Sequence, residues 1–371
     1  MNSPSAEYRM PGGRASISAL PKVSLHDHLD GGLRPQTVID LAAEIGYELP
    51  HTDAKALAKW FIAQSSSGDL VEFLKTFEVT GAVMQTAAQL QRVAHEFVLD
   101  LAADGVIYGE VRWAPENHIV GGLTLDETVD AVSSGLAAGV DEAAAAGHEI
   151  RVGQLITAMR HADRGLEIAE LAVRHRENGV VGFDIAGAEL GFPAAKFADA
   201  FDYLAKNYLP VTIHAGEADG VSSIEGAIFD GRALRLGHGV RIAEDIQIDS
   251  EDDENSYVTL GPVAQWVKDR EITLEICPVS NLFTNAAGTT ELADHPFDLL
   301  YQLGFRVTVS PDDRLMTGTT ISQELSMLVD AFGYDLTDLE VFQQNAAASA
   351  FLSIDDREEL ADRIAAGFEK A

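Results

Sequence analysis

Residues 21–32 read PKVSLHDHLDGG, a short apolar run that ends in His26 and His28 and breaks at Gly31-Gly32. Side chains alternate faces along a β-strand, so these two histidines project to the same side. Asp30 shares that side if the extended conformation persists, before the glycine pair turns the chain. An H-x-H pair is a common way to begin a divalent-metal site, but taken alone it is equally compatible with caps or chance neighbours. For the fold, the informative point is that this unit recurs: a β-rich run closed by polar residues.

The recurrences are Val106–Trp113, Ile150–Ile156, Val180–Ile185, Val211–His214, Leu234–Leu236, Ile272–Ile276 and Arg306–Val309, which with Lys22–His26 make eight. Amphipathic helical patterns lie between them, among them Leu125–Ala146, Gly165–Glu177, Ala194–Asn207, Val263–Arg270 and Phe297–Leu303. Such alternation predicts parallel strands joined by crossover helices, and eight units predict a closed α/β fold of the (β/α)8 TIM-barrel type.

Two regions exceed the minimal repeat. Residues 34–104 hold helical patterns at Val38–Ile45, Ala54–Ala63, Leu70–Phe77 and Ala87–Ala103, and residues 322–371 read as wholly helical. An insertion after the first strand emerges at the C-terminal face, where barrel sites are built. Trp60, Phe61, Phe73 and Phe77 are therefore candidates for a lid, although helix-to-helix packing is the plainer role for each. Residues 1–16 are expected to be a disordered lead before a single domain over 17–371, and the acidic run Glu244–Ser256 a solvated loop.

The 26 basic and 59 acidic residues give a formal net charge of −33. Such a surface repels nucleic acid and anionic lipid and disfavours a multiply phosphorylated substrate, whereas a neutral small molecule is compatible with it. No apolar run approaches the roughly 18 residues of a membrane span, and the first residues lack the apolar core of a secretory signal. Cys277 is the only cysteine, so no intrachain disulfide can form, and a cytoplasmic location is expected.

Four strand ends carry groups that a barrel brings to one mouth. The first supplies His26 and His28; the fifth, in PVTIHAGEADG, His214 with Glu217 just beyond; the sixth, in LRLGHGV, His238; the eighth, in FRVTVSPDD, Asp312 and Asp313. Three imidazoles and one carboxylate suit Zn²⁺ with an open position for water, which is the chemistry of a hydrolase. The remaining histidines, His51, His95, His118, His148, His161, His175 and His295, lack strand-end partners and are expected at the surface or in packing.

PKVSLHDHLDG, FDIAGAE, HAGE, LGHG and SPDD stand in the order and spacing of the adenosine deaminase family of the metal-dependent amidohydrolases, which the chain resembles from Pro21 to beyond Asp313. The resemblance implies one zinc ion held by His26, His28, His214 and Asp312, with Glu217 delivering a proton to purine N1 and His238 beside the attacking hydroxide. It further implies substrate contacts through His28, Asp30 (ribose hydroxyl), Gly187 (backbone N–H to N3) and Asp313 (N7). The implied reaction is hydrolytic deamination of adenosine, and of 2′-deoxyadenosine, in purine salvage. Cytidine-type zinc deaminases need a P-C-x-x-C signature that one cysteine cannot supply.

Adenine deaminases of the same branch tend to read HLEG where this chain has His28-Leu29-Asp30-Gly31, which favours a nucleoside. One departure stands against this: Arg314 follows the aspartate pair where the family often has proline. A cation near the mouth would suit a carboxylate-bearing substrate such as 6-aminodeoxyfutalosine. More distant alternatives are a metal-dependent phosphoesterase and a non-catalytic nucleoside-binding protein. Cys277-Pro278-Val279-Ser280-Asn281 matches a family segment but has no chemical role evident from the residues.

Overall fold

The computed structural model describes residues 8–11, 15–251 and 256–371. Its strands are β1 (Lys22–His28), β2 (Val106–Trp113), β3 (Arg151–Met159), β4 (Val180–Ala186), β5 (Thr212–Ala215), β6 (Arg235–His238), β7 (Ile246–Glu251), β8 (Ser256–Leu260), β9 (Thr273–Ile276) and β10 (Val307–Val309). Strands β1 to β4 form one parallel sheet in chain order, and a second parallel sheet runs β10-β9-β6-β5.

Two seams close these sheets into a barrel. At one, Phe183 bridges Val211 and donates its N–H to the Pro210 carbonyl at 3.0 Å. At the other, Asp27 bridges Asp312; the His28 N–H donates to the Asp312 carbonyl at 2.8 Å, and the Asp312 N–H to the His26 carbonyl at 3.1 Å. The Ser310 hydroxyl accepts the N–H groups of Leu25 and His26 beside it. The first and last barrel strands are thus tied together by the residues expected to bind metal.

All eight expected strands are present. They form because parallel strands covered on both faces need near-continuous apolar runs, and Val23, Leu25, Ile156, Phe183, Ile185, Ile213 and Leu236 are fully buried. The inserted helices are Pro35–Ile45, Ala54–Ser65, Leu70–Leu74, Phe77–Ala82 and Ala87–Ala103. Their entries are set by side-chain caps from Asp53, Asp69 and Thr86, the last in a reciprocal capping box with Gln89. The C-terminal helices are Ile321–Phe332, Leu336–Ser349 and Ile354–Phe368. One apolar core runs through barrel, insertion and C-terminal helices. Among the described residues, no helix is long and apolar enough to cross a membrane.

Two expectations are corrected. The acidic stretch expected as a loop carries the antiparallel hairpin β7–β8, pairing Ile246 with Leu260 and Ile248 with Val258, while residues 252–255 lie outside the described residues. The alternation in Ile246-Gln247-Ile248 is the strand signal that the acidic content obscured. Of the lead, residues 1–7 and 12–14 lie outside the described residues, but Tyr8 and Met10 are pinned. The Ile17 N–H donates to the Tyr8 carbonyl at 2.7 Å, the Tyr8 hydroxyl donates to Gln323 Oε1 at 3.2 Å, and Met10 is buried.

Candidate active site

At the C-terminal ends of the strands lies a cavity of about 760 Å³. Its inner end presents His28, His214, His238, Glu217, Asp312 and Asp313, and its outer wall includes Leu70, Phe73, Phe77, Trp113 and Met159. The aromatic residues considered for a lid divide: Phe73 and Phe77 line the cavity, whereas Trp60 and Phe61 do not and stack on each other with ring centres 5.0 Å apart.

One donor atom from each of His26, His28, His214 and Asp312 lies within 4.8 Å of the others. His28 Nε2 is 3.2 Å from His214 Nε2, and Asp312 Oδ1 is 3.1 Å from His26 Nε2 and 3.3 Å from His28 Nε2. The outer nitrogens are fixed from behind: His26 Nδ1 lies 3.0 Å from Glu275 Oε2, and His214 Nδ1 lies 2.9 Å from Asp184 Oδ2. A carboxylate accepting from Nδ1–H leaves the Nε2 lone pair facing the cluster, as a ligating imidazole requires. His26 Nε2 and Asp312 Oδ1 are buried without a hydrogen-bond partner, a costly arrangement that a bound cation relieves. The donor set therefore fits a divalent metal. His214 is held neutral, its pKa lowered to about 4 chiefly by burial.

Around this cluster the charges are set by burial. The Glu217 carboxyl is pushed well above the usual carboxylate range, first by desolvation and then by the charges of Asp312 and Glu189, a shift that favours its protonated form. The Asp313 carboxyl is raised in the same way, by burial and then by Asp312 and Asp30. Burial holds His238 well below the usual imidazole range. Asn281 Nδ2 donates to His238 Nδ1 at 3.0 Å, so the His238 proton sits on Nε2, 3.6 Å from Glu217 Oε2 and 3.9 Å from Asp312 Oδ2.

Backbone geometry aims these groups. His238 and Asp312 both have φ near +60°, a left-handed conformation disfavoured for residues other than glycine and typical of sites that hold strain. At Gly31 an added Cβ would lie 1.7 Å from Asp313 Oδ1, so only glycine lets the turn after β1 pass that carboxyl. Gly187, also of positive φ, lines the cavity with Asp30.

Several residues that shape the site had no role in the sequence reading. Arg112, Asp184, Glu275, Arg235 and Glu110 form a buried ionic network inside the barrel, in which Arg112 Nη2 meets Glu275 at 2.6 Å and Nη1 meets Asp184 at 3.2 Å. The available signal was a lone charge inside an apolar strand, as in TLEI or FDIA, because buried charges survive only when paired. Glu189 accepts the N–H groups of Gly216, Glu217, Ala218 and Asp219, moulding the loop that carries Glu217. The Cys277–Asn281 segment, with no chemical role evident from its residues alone, reaches the site directly: besides Asn281, the Ser280 hydroxyl donates to Asp312 Oδ2 at 2.6 Å. Of the histidines expected elsewhere, His161 lines the outer cavity.

Arg314 is not at the mouth. Its guanidinium is buried against Asp27, 2.9 Å from Oδ2, with Asp100 at 3.5 Å and the Phe97 ring 4.5 Å away. The short helix Arg314–Thr317 turns the side chain away from the cavity, which removes the countercharge proposed for a carboxylate-bearing substrate.

Glu324 yields a stability test. Its buried carboxyl accepts from the Val279 N–H at 3.2 Å and the Thr319 hydroxyl at 2.7 Å, and burial raises its pKa to about 8. A carboxyl whose folded pKa exceeds its unfolded value of about 4.5 contributes stability that is complete below 4.5 and lost as pH rises through 8. Glu324→Gln removes that loss. Denaturant unfolding at pH 5, 7 and 9 is expected to show the variant gaining on the wild type with rising pH, by up to about 4 kcal/mol. A pH-independent difference would contradict the assignment.

A parallel barrel that gathers three imidazoles, a carboxylate and a buried glutamic acid at the inner end of one cavity defines a metal-dependent hydrolase of the amidohydrolase class. Within it the chain belongs to the adenosine deaminase family, whose family model matches residues 21–367. It is 53% identical over 350 residues to an adenosine deaminase of Mycobacterium marinum, covering 94% of this chain and 95% of that protein. It is 54% identical over 342 residues to adenosine deaminase 1 of Streptomyces coelicolor, covering 92% and 85%. Among solved structures, an adenine deaminase from Arthrobacter aurescens superposes with a TM-score of 0.81 at 25% identity, covering 95% of this chain and all of that one.

Proposed function

We propose that this protein hydrolyses adenosine and 2′-deoxyadenosine to inosine or deoxyinosine and ammonia, with Zn²⁺ as its metal, in cytoplasmic purine salvage. The observation that carries the reading is Glu217: a buried carboxyl in the cavity wall, its pKa raised by burial, beside a cluster of donors that could hold a metal. A divalent ion held by His26, His28, His214 and Asp312 supplies a Lewis acid and water made acidic near neutral pH.

The chain's own groups do the rest. Glu217 gives its proton to N1, which withdraws electron density from C6 and opens it to attack by water. His238, neutral with its proton on Nε2, donates to the oxygen arriving at C6 and stabilises the charge that develops there. One proton of that water passes to the departing amine as the C6–N bond breaks, and the other, left on the new oxygen, returns to Glu217 as C6=O forms, so ammonia leaves and the acid is restored with no net change of charge. Asp313, whose pKa burial raises, donates from its protonated form to N7, and the Gly187 N–H meets N3 where no Cβ blocks a flat base. The apolar wall of Leu70, Phe73, Phe77 and Trp113 excludes bulk water once the base is seated.

The alternatives weaken on the same observations. Among the described residues no lysine or arginine lines the cavity, which disfavours a phosphoesterase. Glu217 and His238 are unnecessary to a protein that only binds a nucleoside. A parallel ammonia-release assay on adenosine, deoxyadenosine, adenine and 6-aminodeoxyfutalosine, with metal analysis of the same sample, tests the reading. Adenosine is expected to lead; preference for either of the last two would overturn it.

Asp30 supplies a finer test of nucleoside recognition. It lies on the cavity wall with Oδ1 buried and lacking a partner, as expected of a carboxylate awaiting a ribose hydroxyl. Asp30→Ala is expected to lower kcat/KM for adenosine by about ten- to a hundredfold, the worth of one charged hydrogen bond. The weak activity on adenine should be unchanged, and an equal loss on both substrates would remove Asp30 from ribose binding.

A further inference from the structure

We propose that the opposite end of the barrel carries a second binding site, for a small molecule bearing phosphate. The N-terminal ends of β4, β5, β6, β9 and β10 surround a cavity of about 650 Å³, the size range of small-molecule sites. Arg176, Arg270, Arg306 and Arg357 line it, against a single carboxylate, Glu271.

Its charge balance is the reverse of the protein's. The chain has 59 acidic residues for 26 basic ones, so an arginine should readily find a carboxylate. Arg306 does, 2.6 Å from Glu271. Among the described residues Arg176, Arg270 and Arg357 make no ion pair. Arg176 reaches only the Asn207 carbonyl, and Arg270 lies over the Trp266 ring at 4.8 Å. Arg357 donates from Nη1 to the Ala348 carbonyl at 2.8 Å and leaves Nε buried without a partner. Three guanidinium groups without countercharge line one hollow and offer it the planar donor pairs that suit phosphoryl oxygens.

The floor adds shape rather than charge. Arg235 is buried there, but Glu110 and Glu275 neutralise it. Tyr208, Leu209, Pro210, Phe351 and Leu352 supply an apolar wall beside the arginines, which suits the organic part of a nucleotide better than a bare anion. The overall negative charge opposes approach of such a ligand at long range. At physiological salt, however, screening acts over roughly 8 Å, and the local cluster decides binding. The C-terminal face holds the reaction in barrels of this kind, so this end is free for a ligand that is not the substrate.

The test is calorimetric titration of the metal-loaded full chain with uridine diphosphate and with inorganic pyrophosphate. The pyrimidine nucleotide avoids competition from the purine cavity. Saturable one-to-one binding that weakens with salt is expected for both, tighter for the nucleotide. In the double variant Arg270→Ala/Arg357→Ala it should weaken at least tenfold, while deaminase activity and melting temperature match the wild type. If that variant fails to fold, Arg270→Gln serves, since this side chain rests only on an indole face, and a several-fold weakening is expected. Equal binding of the two probes supports the anion site with pyrophosphate as its sufficient ligand. Absence of saturable binding, or unchanged affinity in the folded variants, overturns the proposal.

Discussion

Glu217→Gln is expected to lower kcat on adenosine by about a thousandfold or more while bound metal stays at the wild-type level. The amide keeps the size of the carboxyl and can still donate to N1, but it has no proton to give up. The ground-state contact survives and the transition-state contact does not, so KM should change little. The carboxyl should also set an alkaline limit to activity. The reactive form is protonated, so turnover in the wild type should fall as pH rises through the raised pKa of Glu217 and recover on return to neutrality. Because Glu217 is not among the four clustered donors, metal analysis separates this loss from loss of the ion. Near-normal turnover in the variant would remove Glu217 from the chemistry and with it the main support for the proposed reaction.

His214→Ala is expected to remove metal and activity together. Its Nε2 belongs to the donor cluster and its Nδ1 meets Asp184, so the substitution deletes a ligand and strips a buried carboxylate of one partner. Metal content should drop to a small fraction of the wild type, and turnover by about a thousandfold or more, matching the several kcal/mol a metal supplies to such a step. Wild-type protein treated with a chelator should behave alike, and zinc should restore that sample far better than the variant. A variant with full metal content and normal turnover would exclude His214 as a ligand.

The sequence made the barrel and the centre of the site legible for one physical reason. A parallel strand is a short apolar run, and the polar residue that ends it stands at the mouth, so His26, His28, His214, His238 and Asp312 could be placed without contacts. What stayed hidden depends on partners across the barrel. Asp184 and Glu275 look like faults in apolar strands until Arg112, His214 and His26 appear beside them. Ser280 and Asn281 act on Asp312 and His238 through hydrogen bonds no spacing predicts. The direction of Arg314 is a matter of one helical turn, and its partners Asp27 and Asp100 come from opposite ends of the first third of the chain. The β7–β8 hairpin was hidden by its acidic residues.

The seam between β1 and β10 has a consequence for how the protein is born. Two of the proposed metal donors, His26 and His28, leave the ribosome long before Asp312, the carboxylate that completes the set. The same backbone bonds that join those strands bring the donors together. No partial chain can assemble the centre, and no form with an open seam can keep it. Catalytic competence therefore certifies that the first strand has found the last, and a chain stalled before Asp312 would lack the C-terminal helices along with the final donor and have no reaction to run.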